Sequence, residues 1–139
     1  MKTIVIYFSQ SGNTKRAAFL IANNLGIDAV SITALNMSSP SIDLSEYSDF
    51  IIGYPIHDGK IPTPMIDFLS TINWTGRRIY HFCTMGGLLG EIDSQLLSLC
   101  EGASIRKPLR LKFSEANCEK LDEQTSAWTN YIKRDSHIF

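Results

Sequence analysis

The pattern that most constrains this chain is the alternation of apolar runs with amphipathic helical segments. Residues 1–8 and 50–54 are almost unbroken apolar runs rich in β-branched residues, as strands buried on both faces should be. Shorter segments at 29–32, 78–83 and 109–113 complete a set of five predicted strands. Strands that alternate with helices form a parallel sheet covered by helices on both faces. The sequence therefore predicts an α/β fold with a doubly wound sheet.

Helical patterns lie between these strands. Residues 14–25 have apolar side chains at helical spacing before Gly26, and Thr63 followed by Pro64 predicts an N-cap and first turn for a helix over residues 63–71. Residues 38–47 contain Ser and Pro and are predicted as a loop or one weak helix. Two further helical stripes consist of Ile92, Leu96 and Leu99, and of Leu121, Thr125, Trp128 and Ile132. Since the chain has 139 residues and no repeat or linker, we expect a single domain over residues 1–139.

Composition narrows the class of protein. The formal net charge of −1 gives no basic tract for nucleic acid, and no apolar run approaches the length of a membrane span. The first residues do not resemble a signal peptide, so we expect a cytoplasmic protein. The cysteines match no zinc or iron–sulfur spacing, and we expect free thiols and no metal site: Cys83, Cys100 and Cys118.

Ligands of open parallel sheets bind beyond the carboxyl ends of the strands. The loops there are rich in glycine and small polar residues, and they read SQSGNT (9–14), YPIHDGKIP (54–62) and TMGGLLG (84–90). The first loop suits a terminal phosphate, because unpaired N–H groups at a helix N-terminus favour anions and Gly12 permits close approach. Neither GxGxxG nor GxxxxGK[ST] is present. Side-chain donors in this loop are Ser9, Ser11, Asn13 and Thr14.

The stretch YFSQSGNTKRAA resembles the FMN phosphate loop of the flavodoxin family, and IIGYPIHDGKIPTPMIDFL resembles the family's flavin-facing loop after the third strand. The resemblance covers essentially the whole chain. It implies a flavodoxin-like fold with a five-stranded parallel sheet in the order 2-1-3-4-5. Because the last strand carries no long insertion, the chain is similar to short-chain members and to the flavodoxin portion of ferredoxin–flavodoxin fusion proteins.

This resemblance implies FMN as cofactor. His57 would stack on the flavin where many flavodoxins use Trp or Tyr. On reduction of the flavin, the Asp58–Gly59 peptide in the turn over residues 57–60 would flip into a type II turn, which needs positive φ at Gly59. The phosphate would lie on Ser9, Gln10, Ser11, Gly12, Asn13 and Thr14. The isoalloxazine ring would lie between Pro55, Ile56, His57, Asp58 and Gly59 on one side and Thr84, Met85, Gly86 and Gly87 on the other.

The implied function is electron transfer by a low-potential one-electron carrier, with no catalytic residue of its own. Its partners would be redox proteins, with a reductase or ferredoxin-type donor and an unknown acceptor. Two alternatives stay open. One is an FMN-dependent oxidoreductase that acts on a small organic substrate, of the quinone reductase or protoporphyrinogen oxidase type. The other is an interaction module without FMN, since a fold alone does not give a function.

Two other functions are excluded, one by the order of elements and one by the residue type after the first strand. Cys100 and Arg106 have the Cys-x5-Arg spacing of a phosphatase, but a predicted helix precedes them and a strand follows, the reverse of what a phosphate-cradling loop needs. A phosphorelay receiver requires acidic residues after the first strand, and Ser9 stands there instead.

Overall fold

The structure of the protein is a computed structural model, which describes residues 2–37 and 42–137. Six strands occur in this part of the chain: β1 (Lys2–Tyr7), β2 (Ala29–Ser31), β3 (Tyr47–Pro55), β4 (Arg78–Met85), β5 (Ser104–Ile105) and β6 (Leu109–Lys112). Five α-helices accompany them: α1 (Asn13–Leu25), α2 (Ile32–Met37), α3 (Thr63–Leu69), α4 (Ile92–Leu99) and α5 (Leu121–Ser136). A 3₁₀ turn over Leu44–Glu46 precedes β3.

All strand pairs are parallel, and the sheet order is β2-β1-β3-β4-β5, which confirms the predicted flavodoxin-like order. The fifth position differs from the prediction because two short strands share it. β5 pairs with Arg78 and Ile79, whereas β6 pairs with the second half of β4. Pro108 lies just before β6 and has no N–H for a ladder hydrogen bond, which explains the interruption.

The sheet separates two apolar cores. On one face, Met65 of α3 and Leu96 of α4 pack against apolar residues of β1, β3 and β4. On the other face, α1 and α5 cover the sheet, with Ile21 and Trp128 at the centre of that core. Helices thus lie on both faces, as the alternating pattern predicts.

The weak helix is displaced from its predicted position. α2 covers Ile32–Met37, and Ile32, which we expected in a strand, begins it. The cause is local, because the Ser31 hydroxyl oxygen accepts the Ala34 N–H at 3.0 Å and so caps the new helix. Within the predicted 38–47 segment, only the 3₁₀ turn is helical among the described residues, and residues 38–41 lie outside them.

The start of α3 also differs from the prediction. Thr63 is the first helical residue and makes no capping hydrogen bond, and Pro62 occupies the cap position. The Pro62 carbonyl accepts the N–H groups of Met65 and Ile66, each at 3.0 Å. No helix in the described part of the chain is long and apolar enough to cross a lipid bilayer.

Candidate functional site

The three predicted loops begin side by side at the carboxyl edge of the sheet. Strand register pairs Tyr7 with Gly53 and Pro55 with Thr84. Just beyond the strands, the Phe8 N–H donates to the Gly53 carbonyl at 3.0 Å, and the Ile56 N–H donates to the Thr84 carbonyl at 2.9 Å. The parallel ladders therefore bring segments that are far apart in sequence to one edge.

The first loop is a tight turn built around Ser9. Its hydroxyl oxygen accepts the backbone N–H groups of Gly12 and Lys15, each at 3.2 Å. Gly12 has φ +98, in the region that favours glycine, and an added Cβ there would meet nothing within 4 Å. The loop thus leads directly into α1 and leaves open space above Gly12.

Several backbone donors of this loop have no protein acceptor. Among the described residues, none accepts a hydrogen bond from the backbone N–H groups of Ser11, Asn13 or Thr14. They lie at or just before the N-terminus of α1, where the helix dipole adds positive potential. This combination can bind an anion through neutral groups.

The polar side chains of the loop have different environments. The Thr14 hydroxyl is buried 2.8 Å from the Thr84 hydroxyl, and the Asn13 side-chain amide donates to the Glu115 carbonyl at 3.0 Å. Gln10 and Ser11 are exposed. Ser11 is thus the side-chain hydroxyl of this loop that faces solvent without a protein partner among the described residues.

Residues 57–60 form a two-residue hairpin. The Lys60 N–H donates to the His57 carbonyl at 2.9 Å, and the His57 N–H donates to the Lys60 carbonyl at 3.2 Å. Both central residues have positive φ, 51° at Asp58 and 69° at Gly59, which defines a type I′ turn. Gly59 thus has the positive φ that the predicted flip into a type II turn needs, and Asp58 is left-handed as well.

The backbone of this hairpin lies against the backbone of the third loop. A Cβ on Gly59 would lie 3.1 Å from the Cα of Gly90, and a Cβ on Gly90 would lie 2.1 Å from the Gly59 carbonyl oxygen. Only glycine fits at Gly90 without displacing one of the two loops. The second and third loops therefore support each other.

The predicted ring-binding residues surround this contact and differ in exposure. Pro55 and Thr84 are buried, and Ile56, Gly59 and Met85 are half-buried. The remaining four are exposed: His57, Asp58, Gly86 and Gly87. His57, which pairs with Lys60 next to the turn, is therefore accessible to solvent.

Tyr54 does not belong to the loop surface. It is fully buried, and its hydroxyl lies 3.2 Å from Nδ1 of His81, with the two rings nearly parallel. Burial lowers the pKa of His81 to about 4, so this histidine is neutral at pH 7. The pair is part of the core beneath the site.

A fourth loop, which the sequence analysis missed, lies beside the first. Residues 114–117 form a turn in which the Ser114 N–H donates to the Asn117 carbonyl at 2.8 Å. Besides the contact of Asn13 with Glu115, the Arg16 guanidinium donates to the Ala116 carbonyl at 3.1 Å. The sequence signal was available, since Ser and Asn follow the last parallel strand, whose carboxyl end lies at this same edge.

The surroundings of Cys100 support the exclusion of phosphatase chemistry. Cys100 lies at the C-terminal cap of α4 and is 1% exposed, and burial raises the pKa of its thiol to about 12. A nucleophilic thiol requires the opposite environment, at a helix N-terminus with a lowered pKa.

Comparison with known proteins places these features in a family. The flavodoxin domain family profile matches residues 4–95. Oxidised flavodoxin 2 from Bacillus cereus is 22% identical with a TM-score of 0.75, and the alignment covers 97% of this chain and 99% of that chain. The flavodoxin of Streptococcus pneumoniae TIGR4 is 20% identical with a TM-score of 0.70, over 96% of this chain and 98% of that chain. No curated protein matches significantly.

A flavodoxin described as WrbA-like, from Agrobacterium tumefaciens, is 17% identical with a TM-score of 0.71, over 96% of this chain and 97% of that chain. At such identities, the likeness to solved structures shows a shared fold. The family match independently covers the first loop, the hairpin and the third loop.

Proposed function

Because this chain belongs to the flavodoxin family, we propose that residues 1–139 form one flavodoxin-like domain that binds FMN non-covalently and transfers electrons through it. The observation that carries the proposal is the first loop: its backbone donors have no acceptor among the described residues, they lie at the N-terminus of α1, and the space above Gly12 is open. The other two predicted loops begin at the same edge of the sheet, within reach of the rest of the cofactor.

The phosphate group fits the donors of the first loop. The backbone N–H groups of Ser11, Asn13 and Thr14 and the Ser11 hydroxyl would hold it, and the glycine at position 12 lets its oxygens approach the backbone. Ser9 and Asn13 would act mainly by shaping the loop, because their side chains already bind other parts of the chain.

The ring would lie between the hairpin and the third loop. His57 offers a flat, accessible surface, and the backbone of Gly86 and Gly87 permits close contact with the polar end of the ring. Bound FMN supplies the redox chemistry, and the protein sets affinity, access and potentials. Redox proteins are the first candidate partners, and a small organic substrate is the second.

The proposal is tested by titrating FMN and riboflavin into FMN-free protein. Ser11→Ala removes one hydroxyl donor to a dianionic phosphate, so we expect FMN affinity to fall about tenfold to a hundredfold while riboflavin affinity stays the same. Ser126→Ala, an exposed position on α5, is the matched control and should change neither. Wild-type protein that takes up no FMN would refute the proposed function.

The mode of electron transfer is decided by anaerobic potentiometry of the FMN-loaded protein. A carrier of single electrons, which the sequence favours, has two well-separated midpoint potentials. An enzyme that passes electrons in pairs has a single apparent midpoint. The large groove beside the hairpin is the specific observation that favours the second candidate.

A further inference from the structure

A groove of about 960 Å³ lies between the 57–60 hairpin and helix α4. Its volume is within the range of small-molecule sites. We call it the α4 groove, and its lining comprises Ile56, Asp58, Gly59, Lys60, Gly87, Leu88, Gly90, Glu91, Ser94, Gln95 and Ser98.

The α4 groove overlaps the proposed flavin site only in part. Four residues belong to both: Ile56, Asp58 and Gly59 of the second loop and Gly87 of the third loop. Most of the remaining wall comes from Lys60, from the end of the third loop and from the first half of α4, to which no role has been assigned. A molecule in this groove would therefore contact both loops that are proposed to hold the ring, including these four shared residues, from the side of α4.

One part of the lining suits a flat apolar ring. Leu88 is 87% exposed, an unusual state for a large aliphatic side chain at the edge of a concave site, and Ile56 is half-buried beside it. Gly59, Gly87 and Gly90 add backbone without side chains, so a planar molecule can approach closely. Covering Leu88 would also remove its apolar surface from water.

Another part of the lining donates hydrogen bonds. The Gln95 side-chain oxygen accepts the Ile61 N–H at 3.0 Å, which fixes the amide and leaves its NH₂ group without an acceptor among the described residues. Lys60 adds an ammonium group at the same wall, and Ser94 an exposed hydroxyl. These groups suit oxygen acceptors at the edge of a ring, such as carbonyl oxygens.

We propose that the α4 groove binds a planar quinone-type electron acceptor, with its ring against Leu88 and a carbonyl oxygen on the Gln95 amide. This inference rests on the proposed function, because the electrons come from reduced FMN. Reduction converts both quinone C=O groups to C–OH with two electrons and two protons, and one fully reduced FMN is oxidised to FMN. Dithionite serves as the initial reductant in the laboratory.

The probe is duroquinone, whose fully substituted ring cannot add the half-buried Cys118 thiol. Its binding to the oxidised, FMN-loaded protein is followed through the amide NMR shifts of Gly59, Gly87 and Gly90. Gln95→Glu keeps the acceptor for the Ile61 N–H but removes the NH₂ donor, so we expect duroquinone affinity to fall about fivefold to tenfold. Ser94→Trp fills the groove and should abolish saturable binding.

Leu97→Trp is the control, because Leu97 is 61% exposed on the same helix and does not line the groove. It should leave duroquinone affinity within twofold of wild type. With dithionite-reduced protein, the rate of FMN reoxidation should saturate with duroquinone in wild type and in Leu97→Trp, but not in Ser94→Trp.

Three outcomes would overturn the inference: no saturable duroquinone binding by wild type, equal affinity in Ser94→Trp and wild type, or a tenfold loss of FMN affinity in Ser94→Trp. The last would show that the groove holds the flavin itself. A protein that binds no FMN refutes the proposed function separately, and duroquinone binding to that FMN-free protein still tests the groove.

Discussion

The two ends of the sheet differ in how their polar groups are paired. At the amino end, Asp135 of α5 accepts two hydrogen bonds from the Arg106 guanidinium, at 2.6 and 2.8 Å, and one from the Tyr80 hydroxyl at 2.8 Å. The Arg78 guanidinium also donates to the Asp135 carbonyl at 3.1 Å. At the carboxyl end, the backbone N–H groups of Ser11 and Asn13 have no acceptor among the described residues.

This difference shows where the fold holds itself together and where it is open to a ligand. The Arg106 guanidinium holds the pKa of the Asp135 carboxyl below its usual range, which is typical of a stabilising ion pair. The network fixes the last turn of α5 against β4 and β5. At the other end, contacts between loops are made by backbone or by single hydrogen bonds, and donors remain available.

Gly90→Ala should have the largest effect on stability, because it places a side chain at the carboxyl end where the backbones of two loops are in contact. The new Cβ would lie 2.1 Å from the Gly59 carbonyl oxygen, and residue 90 has φ +68. Overpacking together with left-handed strain should lower the free energy of unfolding by about 3 kcal/mol. Urea unfolding of FMN-free protein measures this loss.

Gly87→Ala is the matched control for this prediction. It lies in the same loop, has no positive φ, and an added Cβ would meet nothing within 4 Å. We expect a change below about 0.5 kcal/mol. If the two variants are equally stable, the two loops can move apart at little cost in free energy. The carboxyl end would then be adaptable in its backbone as well as in its hydrogen bonds, in contrast to the rigid amino end.

Asp135→Asn should have the second largest effect, at the amino end. It weakens the charge-assisted hydrogen bonds from Arg106 and Tyr80, so we expect the free energy of unfolding at pH 7 to fall by about 2 kcal/mol. FMN affinity should not change, because the site lies at the other end. A loss of FMN affinity without a loss of stability would contradict the view that the amino end stabilises the fold and the carboxyl end binds the ligand. Glu123→Gln, exposed on the same helix, is the control.

Much of the fold could be predicted because burial determines it. Long apolar runs rich in β-branched residues favour central strands of a covered sheet, and the order of the strands and the family assignment are confirmed. The errors have local causes that hydrophobic patterns do not report. The Ser31 hydroxyl caps α2, so this helix begins earlier than predicted. Pro108 interrupts the fifth strand, so two short strands share its position in the sheet.

The candidate site was predictable in its loops but not in all its contacts. Thr14 and Thr84 are 70 positions apart, so their hydrogen bond depends on the assembled sheet. The same holds for Asn13 and Glu115, which are 102 positions apart. By contrast, the sequence Asp58-Gly59 already favours a type I′ turn, and that prediction could have been made from sequence alone.

Asp49→Asn should have the smallest effect, and of the opposite sign. Asp49 is 3% exposed, no described residue donates a hydrogen bond to its Oδ2, and the Arg78 guanidinium lies 3.9 Å from that oxygen. Burial raises the pKa of this carboxyl above 3.8, so its protonated form is favoured by folding and its ionised form is costly. Stability from this group is therefore present at low pH and is lost as pH rises through the raised pKa.

An uncharged amide avoids that loss, so Asp49→Asn should raise the free energy of unfolding at pH 7 by about 1 kcal/mol. The gain should shrink toward zero as pH falls below the raised pKa, where the wild-type carboxyl is itself neutral. Urea unfolding between pH 3 and 8 measures this dependence. The experiment uses an Asp135→Asn background, because that substitution removes the opposite pH dependence of the Asp135–Arg106 ion pair. If Asp49→Asn instead lowers the free energy of unfolding at pH 7, the attraction between the Asp49 carboxylate and the Arg78 guanidinium outweighs the cost of burying the charge. Asp49 would then stabilise the amino end together with Asp135.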